Sequence, residues 1–216
     1  MADVLHIDLK IPSEHIIRGE RFDAEMQIFH LHAGNHRVPT QAVLIRAEAG
    51  GYNYYFQEAL NAFARQYDEN RSNCRRRMQQ GEGDILLFDE DDAALSTAMN
   101  RTLFADHRNL QTFPGGAWDP HHAMLIPTVH FYRYEGSLTE PPCTEFVTWF
   151  VADKPMIISH EQLELMRVLL FTNVHPHNCK LSGVHRNAED GVARPIQPLH
   201  DRGVYQCTPD DFGPDP

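Results

Sequence analysis

Tyr132-Arg133-Tyr134-Glu135-Gly136-Ser137-Leu138-Thr139-Glu140-Pro141-Pro142-Cys143-Thr144-Glu145-Phe146-Val147-Thr148-Trp149 is the most specific stretch of this 216-residue chain. On either side of its centre, residues 130–134 and 146–151 are aromatic and β-branched, the composition of half-buried strands. Gly136 and Pro141-Pro142 separate the two runs. Proline cannot donate to a strand ladder, so the pair marks a turn between strands.

Further along, Ser159-His160-Glu161-Gln162 has the spacing of a capping box and opens a helix carrying Leu163, Met166 and Leu170. Pro176 ends that region. Residues 194–199 lead into a short strand near Val204, and residues 208–216 form a Pro/Asp-rich tail. Upstream, residues 5–9 and 25–31 alternate between apolar and polar as strands do, with Gly19 in the turn between them. Residues 42–47 read as a more buried strand. Residues 54–67 place Phe56, Leu60, Phe63 and Tyr67 at helical spacing behind Asn53 as N-cap.

Residues about 70–117 break this pattern and read as a surface insertion. They hold the basic run Arg75-Arg76-Arg77 (read as a solvated turn), the acidic run Asp89-Glu90-Asp91-Asp92, a short helix over residues 93–103 and Pro114-Gly115-Gly116. Many strands with two or three short helices imply a mainly β (α+β) domain over residues 1–207, built on a large, mostly antiparallel sheet.

Composition narrows the function. A formal net charge of −11 argues against nucleic acid, whose binding rests on phosphate neutralisation by Lys and Arg. No apolar run approaches the roughly 18 residues of a membrane span, so a soluble protein is expected. The sequence from Met1 to His6 has no signal-peptide character. Cys74, Cys143, Cys179 and Cys207 lack metal-type spacing and permit one or two disulfides. Asn70-Arg71-Ser72 and Asn100-Arg101-Thr102 are glycosylation sequons, a hint of secretion. The pairs His30/His32, His121-His122 and His175-Pro176-His177 read as surface histidines.

The opening stretch resembles the signature of α-carbonic anhydrases, Tyr-x-Tyr-x-Gly-Ser-Leu-Thr-Thr-Pro-Pro-Cys followed by Val-Thr-Trp. Three further blocks resemble that family and stand in its order: Pro12-Ser13-Glu14-His15 with Phe22-Asp23-Ala24-Glu25-Met26, Trp118-Asp119-Pro120 with Leu125-Ile126-Pro127, and Arg194-Pro195-Ile196-Gln197-Pro198-Leu199. The resemblance implies a twisted, mostly antiparallel sheet with peripheral helices. It also implies that the family's N-terminal third has no counterpart before Met1. A fragment, a partner chain that completes the sheet, or a fold that persists without that part would each account for this.

Members of the family hold Zn²⁺ with three histidines, and the metal lowers the pKa of a bound water so that it attacks CO2 as hydroxide. By resemblance, the third ligand position is Gln27, whose neutral amide oxygen is a poor zinc ligand. Without a gap, the first two positions fall on Asp8 and Lys10; shifted by two residues they fall on His6 and Asp8. Neither register restores three histidines. Strand alternation puts His6, Asp8 and Lys10 on one face, so a Lys10 ammonium paired with Asp8 and steadied by Gln27 could replace part of the lost charge.

The resemblance also assigns Glu14 and Thr139 as the hydroxyl-orienting pair, and Glu25 as the carboxylate behind the third ligand. His15 and His30 match framework positions as buried, hydrogen-bonded histidines. Glu140 stands where the family has a second Thr, and a carboxylate pointing into the pocket would repel bicarbonate. The expectation is a carbonic-anhydrase-related protein without cofactor that serves as a binding or structural component, with a protein partner or partner chain. The alternative is a divergent hydratase with a remodelled zinc site. Family and sequons point to a secretory or organelle-lumenal setting.

Overall fold

Strand β1 (Asp3–Lys10) is followed by a tight hairpin of β2 (Ile16–Ile17) and β3 (Glu20–Arg21). Its two central residues, Arg18 and Gly19, both have positive φ (53° and 82°), the geometry that two-residue hairpin turns require and that glycine adopts without strain. β4 (Ala24–Leu31), β5 (Val38–Ala47), β6 (Phe131–Gly136), β7 (Val147–Ala152), β8 (Met156–Ile158) and β9 (Tyr205–Cys207) complete the strands, and the helices are α1 (Tyr54–Gln79) and α2 (His160–Phe171). The computed structural model describes residues 3–31, 37–79, 118–181 and 191–208.

Two compact units emerge. One comprises Met1–Gly51, Pro120–Ile158 and Arg186–Pro216; the other comprises Tyr52–Asp119 and Ser159–His185. The first holds a seven-stranded sheet in the order β1-β4-β5-β7-β6-β9, with β8 also pairing with β5. All its pairs are antiparallel except β5 with β7 and β5 with β8. β4 and β5 are central, and Met26, Ile28, Val43, Leu44 and Ile45 on them are fully or almost fully buried. Phe22, Phe29, Ala42, Leu44, Val147, Trp149 and Val151 form one continuous apolar cluster. Gly136 sits opposite Val147. A Cβ there would lie 2.9 Å from both the Trp149 and the Tyr134 rings, which is why the strand needs glycine at that point.

The second unit is organised by polar side chains. The Asn53 side chain caps α1 by accepting the Phe56 N–H at 2.9 Å. Ser159 and Gln162 form the capping box of α2, as the spacing predicted. Gln162 is wholly buried; its amide donates to the Asn53 carbonyl at 2.8 Å and to Gln57 Oε1 at 3.0 Å.

Helix α1 runs past Tyr67 to Gln79, so the basic run Arg75-Arg76-Arg77 is helical rather than a turn. The buried stripe continues as Tyr67, Asn70, Arg71 and Cys74, at helical spacing but mostly polar. Arg71 donates to the Tyr67 hydroxyl at 2.7 Å and to the Thr172 carbonyl at 3.1 Å. Cys74 forms a disulfide with Cys179, the Cα atoms 5.5 Å apart. Asn70 is 6 % exposed and accepts from Gln66, so the first sequon is closed to glycan attachment in the folded helix. The second sequon, the acidic run, the helix expected over residues 93–103 and the tail from residue 209 lie outside the described residues. Among the described residues, no helix is long and apolar enough to cross a membrane.

Candidate functional site

The β1–β4 ladder sets the site. It places Asp8 opposite Gln27 and Lys10 opposite Glu25, while His6 stands opposite Phe29 and stacks on its ring with centroids 4.4 Å apart. Alternation brings His6, Asp8 and Lys10 together, as expected: His6 Nε2 lies 3.8 Å from one Asp8 oxygen and Lys10 Nζ lies 3.6 Å from the other. Lys10 is 3 % exposed. Its closest partner is Glu140, whose Oε1 lies 2.5 Å from Nζ. Glu140 therefore turns onto the ammonium, a role the sequence did not assign to it. Burial alone would push the Lys10 ammonium down. Its hydrogen bond with Glu140 and the charges of Asp8, Glu14 and Glu140 outweigh that, holding it above the usual lysine value and cationic.

Gln27 does not steady Lys10. Its amide nitrogen donates to Glu14 Oε2 at 2.7 Å and to Glu25 Oε1 at 2.8 Å, which uses both of its protons. Its carbonyl oxygen is buried without a hydrogen-bond partner. The other Glu14 oxygen accepts the backbone N–H of Arg194 at 2.8 Å. The expected hydrogen bond between Glu14 and the Thr139 hydroxyl is not formed among the described residues. Both oxygens of Glu14 are engaged elsewhere, one of them by Gln27.

Behind these residues lies a buried relay. Glu25 is wholly buried and accepts the backbone N–H groups of Glu14 and His15 at 2.9 and 2.8 Å. Its other oxygen meets His15 Nδ1 at 2.7 Å, and His15 Nε2 meets the Tyr134 hydroxyl at 2.7 Å. Burial alone would lower the His15 pKa, but the charge and hydrogen bond of Glu25, with Glu14 beyond, carry it above the ordinary histidine value. Burial would likewise raise Glu25, yet the charge of His15 and the hydrogen bonds from His15 and Gln27 hold its carboxyl below the usual range. Tyr134 is pushed up by burial and by Glu25, so its hydroxyl stays protonated.

Glu14, His15, Tyr134, Thr139, Trp149 and Arg194 line a cavity of about 550 Å³, whose lining does not include Asp8, Lys10 or Gln27. Tyr134, Trp149 and Arg194 stand inside the quoted sequence blocks, yet none was singled out there. Tyr134 and Trp149 pair across β6 and β7 inside the opening stretch, whereas Arg194 comes from a separate block.

The model of eukaryotic-type carbonic anhydrases matches residues 95–208, more than half of the chain. This chain belongs to the eukaryotic-type carbonic anhydrase family. Dioscorin DB3L of Dioscorea polystachya is 29% identical over 194 residues, covering 90% of this chain and 50% of that protein. Mitochondrial carbonic anhydrase 5B of Homo sapiens is 37% identical over 98 residues, covering 45% of this chain and 28% of that protein. The chain thus spans half or less of the length of these two relatives. Among solved structures, carbonic anhydrase Cah3 of Chlamydomonas reinhardtii in complex with acetazolamide has a TM-score of 0.55 at 19% identity, covering 95% of this chain and 65% of that one. The α-carbonic anhydrase of Thermovibrio ammonificans in complex with sulfanilamide has a TM-score of 0.51 at 22% identity, covering 92% and 60%. These likenesses establish the carbonic anhydrase fold.

A zinc ion in the family's manner does not fit the residues that the resemblance puts at the ligand positions. Lys10 is held in its cationic form and cannot coordinate. Among the described residues, no group of three or more His, Cys, Asp or Glu is placed to hold a metal.

Proposed function

We propose that this chain is a carbonic-anhydrase-related protein that keeps the scaffold, does not hydrate CO2 through zinc, and acts as a binding or structural component. The observation that carries this reading is the Lys10 ammonium, which stands where a metal-binding imidazole would be needed and is matched by Glu140 at 2.5 Å and Asp8 at 3.6 Å. A fixed cation there answers the same carboxylates that a metal would otherwise face. Asp8 stands opposite Gln27, a pairing that both registers of the ligand positions share. Further support comes from Gln27, whose amide nitrogen is turned toward Glu14 and Glu25, so the two carboxylates hold an amide rather than orient an imidazole.

Thr139 and Glu14 are left with a positioning chemistry only. Neither ionises a water at neutral pH, because that step requires a strong local Lewis acid. Of the relatives aligned over nine-tenths of this chain, one is named a dioscorin and another an alpha carbonic anhydrase, so the fold by itself does not decide activity.

Elemental analysis after dialysis against a mild chelator tests the reading, together with stopped-flow CO2 hydration. Zinc well below one equivalent and hydration equal to buffer are expected. One retained equivalent of zinc with sulfonamide-sensitive hydration would overturn it in favour of a divergent hydratase.

A further inference from the structure

At a formal net charge of −11 the chain is strongly acidic, yet one concavity in it is positive. The cavity of about 550 Å³ is lined by three arginines, Arg18, Arg194 and Arg202, against a single carboxylate, Glu14. Among the described residues, none of the three guanidinium groups has a carboxylate partner. Arg194 is tethered to uncharged groups, donating to the Ser137 hydroxyl at 3.1 Å and to the Leu138 carbonyl at 3.4 Å. Arg202 donates to the Leu199 and Pro198 carbonyls at 3.0 and 2.6 Å, its guanidinium carbon 5.8 Å from the centre of the Tyr134 ring. Such acceptors fix an arginine in place without cancelling its charge. Glu14 is already engaged, one oxygen by the Gln27 amide and the other by the Arg194 backbone N–H.

The rest of the lining is mostly apolar. Tyr134 and Trp149 lie within 14° of parallel, their ring centroids 6.4 Å apart. Ile17, Val151 and Leu199 add branched side chains. Sites for small organic molecules have this make-up: roughly 300–1,000 Å³, apolar and aromatic walls, and a few polar groups that fix orientation.

We infer that this cavity binds a small organic acid, with a flat aromatic body against the Tyr134 and Trp149 rings and one carboxylate held by Arg194 and Arg202. A guanidinium presents a planar fork that meets a carboxylate through two parallel hydrogen bonds. The charges of both arginines act on the Tyr134 hydroxyl, so the two stand near one atom of the aromatic wall. A neutral ring would displace water from the guanidinium groups and give nothing in return. A doubly charged ligand would add to its repulsion from Glu14, which shares the lining. The inference gives the binding role proposed above a ligand class. Because Asp8, Lys10 and Gln27 do not line the cavity, its failure would leave the zinc and hydration results standing.

Isothermal titration of the intact chain with 2-naphthoate, and separately with the uncharged 2-naphthamide, tests the proposal. One equivalent of the acid should bind saturably, and the amide should bind about tenfold more weakly, the loss expected for one charge-assisted pair. Arg194→Gln and Arg202→Gln should each weaken the acid several-fold and leave the amide unchanged, a split that a merely disturbed cavity would not produce. Arg167→Gln, exposed on α2, should change neither. Circular dichroism verifies that each variant is folded. Equal affinity for acid and amide, no saturable binding of the acid, or acid binding unaltered in Arg202→Gln overturns the proposal.

Discussion

Lys10 and Glu140 are separated by 130 positions and joined by a 2.5 Å contact between ammonium and carboxylate. The lysine is 4 % exposed at its side chain and the glutamate 70 %. The carboxylate therefore keeps most of its hydration while it matches a cation that has lost nearly all of its own. Lys10→Met should lower stability by about 1–3 kcal/mol, because Asp8, Glu14 and Glu140 then lose the cation on which they all act. Glu140→Gln should cost less, since Asp8 remains at 3.6 Å. Urea unfolding of both variants checks the order. A larger loss for Glu140→Gln would contradict it.

Zinc affinity should be recoverable by substitution. Asp8→His, Lys10→His and Gln27→His together put two imidazoles on one face of β1 and a third on β4 opposite position 8. The triple variant should retain one zinc through dialysis. The set Asp8→His with Gln27→His, which relies on the native His6, should not, because the His6 ring is already stacked on Phe29. Zinc retained by the second set alone would favour the shifted register.

The His15–Glu25 pair should give a pH-dependent contribution to stability. His15 has a folded pKa above its usual 6.5, so its contribution is complete below about that pH and fades as pH rises through the folded value. Glu25 has a folded pKa below its usual 4.5, so its contribution is complete above about that pH and fades as pH falls through the folded value. The pair should therefore contribute most between the two usual values. Melting temperatures of the natural chain and His15→Asn, compared from pH 4 to 9, should differ most in that window. A constant gap across the range would count against the ion pair.

Gly136→Ala should destabilise by about 1–3 kcal/mol through overpacking against Trp149 and Tyr134. Near-ultraviolet circular dichroism of the Trp149 environment should change with it. An unchanged spectrum with unchanged stability would mean that the rings yield at no cost.

The framework was legible because strands and caps are written locally. Alternation located β1 and β4, the Ser159–Gln162 spacing located α2, and the turn expected at Gly19 is there, though the β2–β3 hairpin that it closes was not read. The quoted signature was enough to imply the fold. The end of α1 was not legible, since its second half buries Asn70, Arg71 and Cys74, and a search for apolar periodicity passes over polar residues that satisfy one another. In the site, alternation correctly gathered His6, Asp8 and Lys10, all on one strand. Side-chain choices between strands were lost to it. Glu140 could prefer solvent or Lys10, and Gln27 could present either end of its amide. His30, half-buried rather than buried, could meet any of the other histidines and pairs with His121. Those outcomes depend on pairings made across 13 to 130 positions.

The link between Cys74 and Cys179 closes a covalent ring of the chain, 105 positions around. A single proteolytic cut between the two cysteines opens the ring without releasing a fragment. Both pieces would run as one band on a gel until a reductant is added, then separate. The same cut would go unnoticed by any assay of mass under oxidising conditions, except for the one added water. Peptide mapping of this protein therefore has to be done in both redox states, and the difference between the two maps reports directly on where the ring was cut.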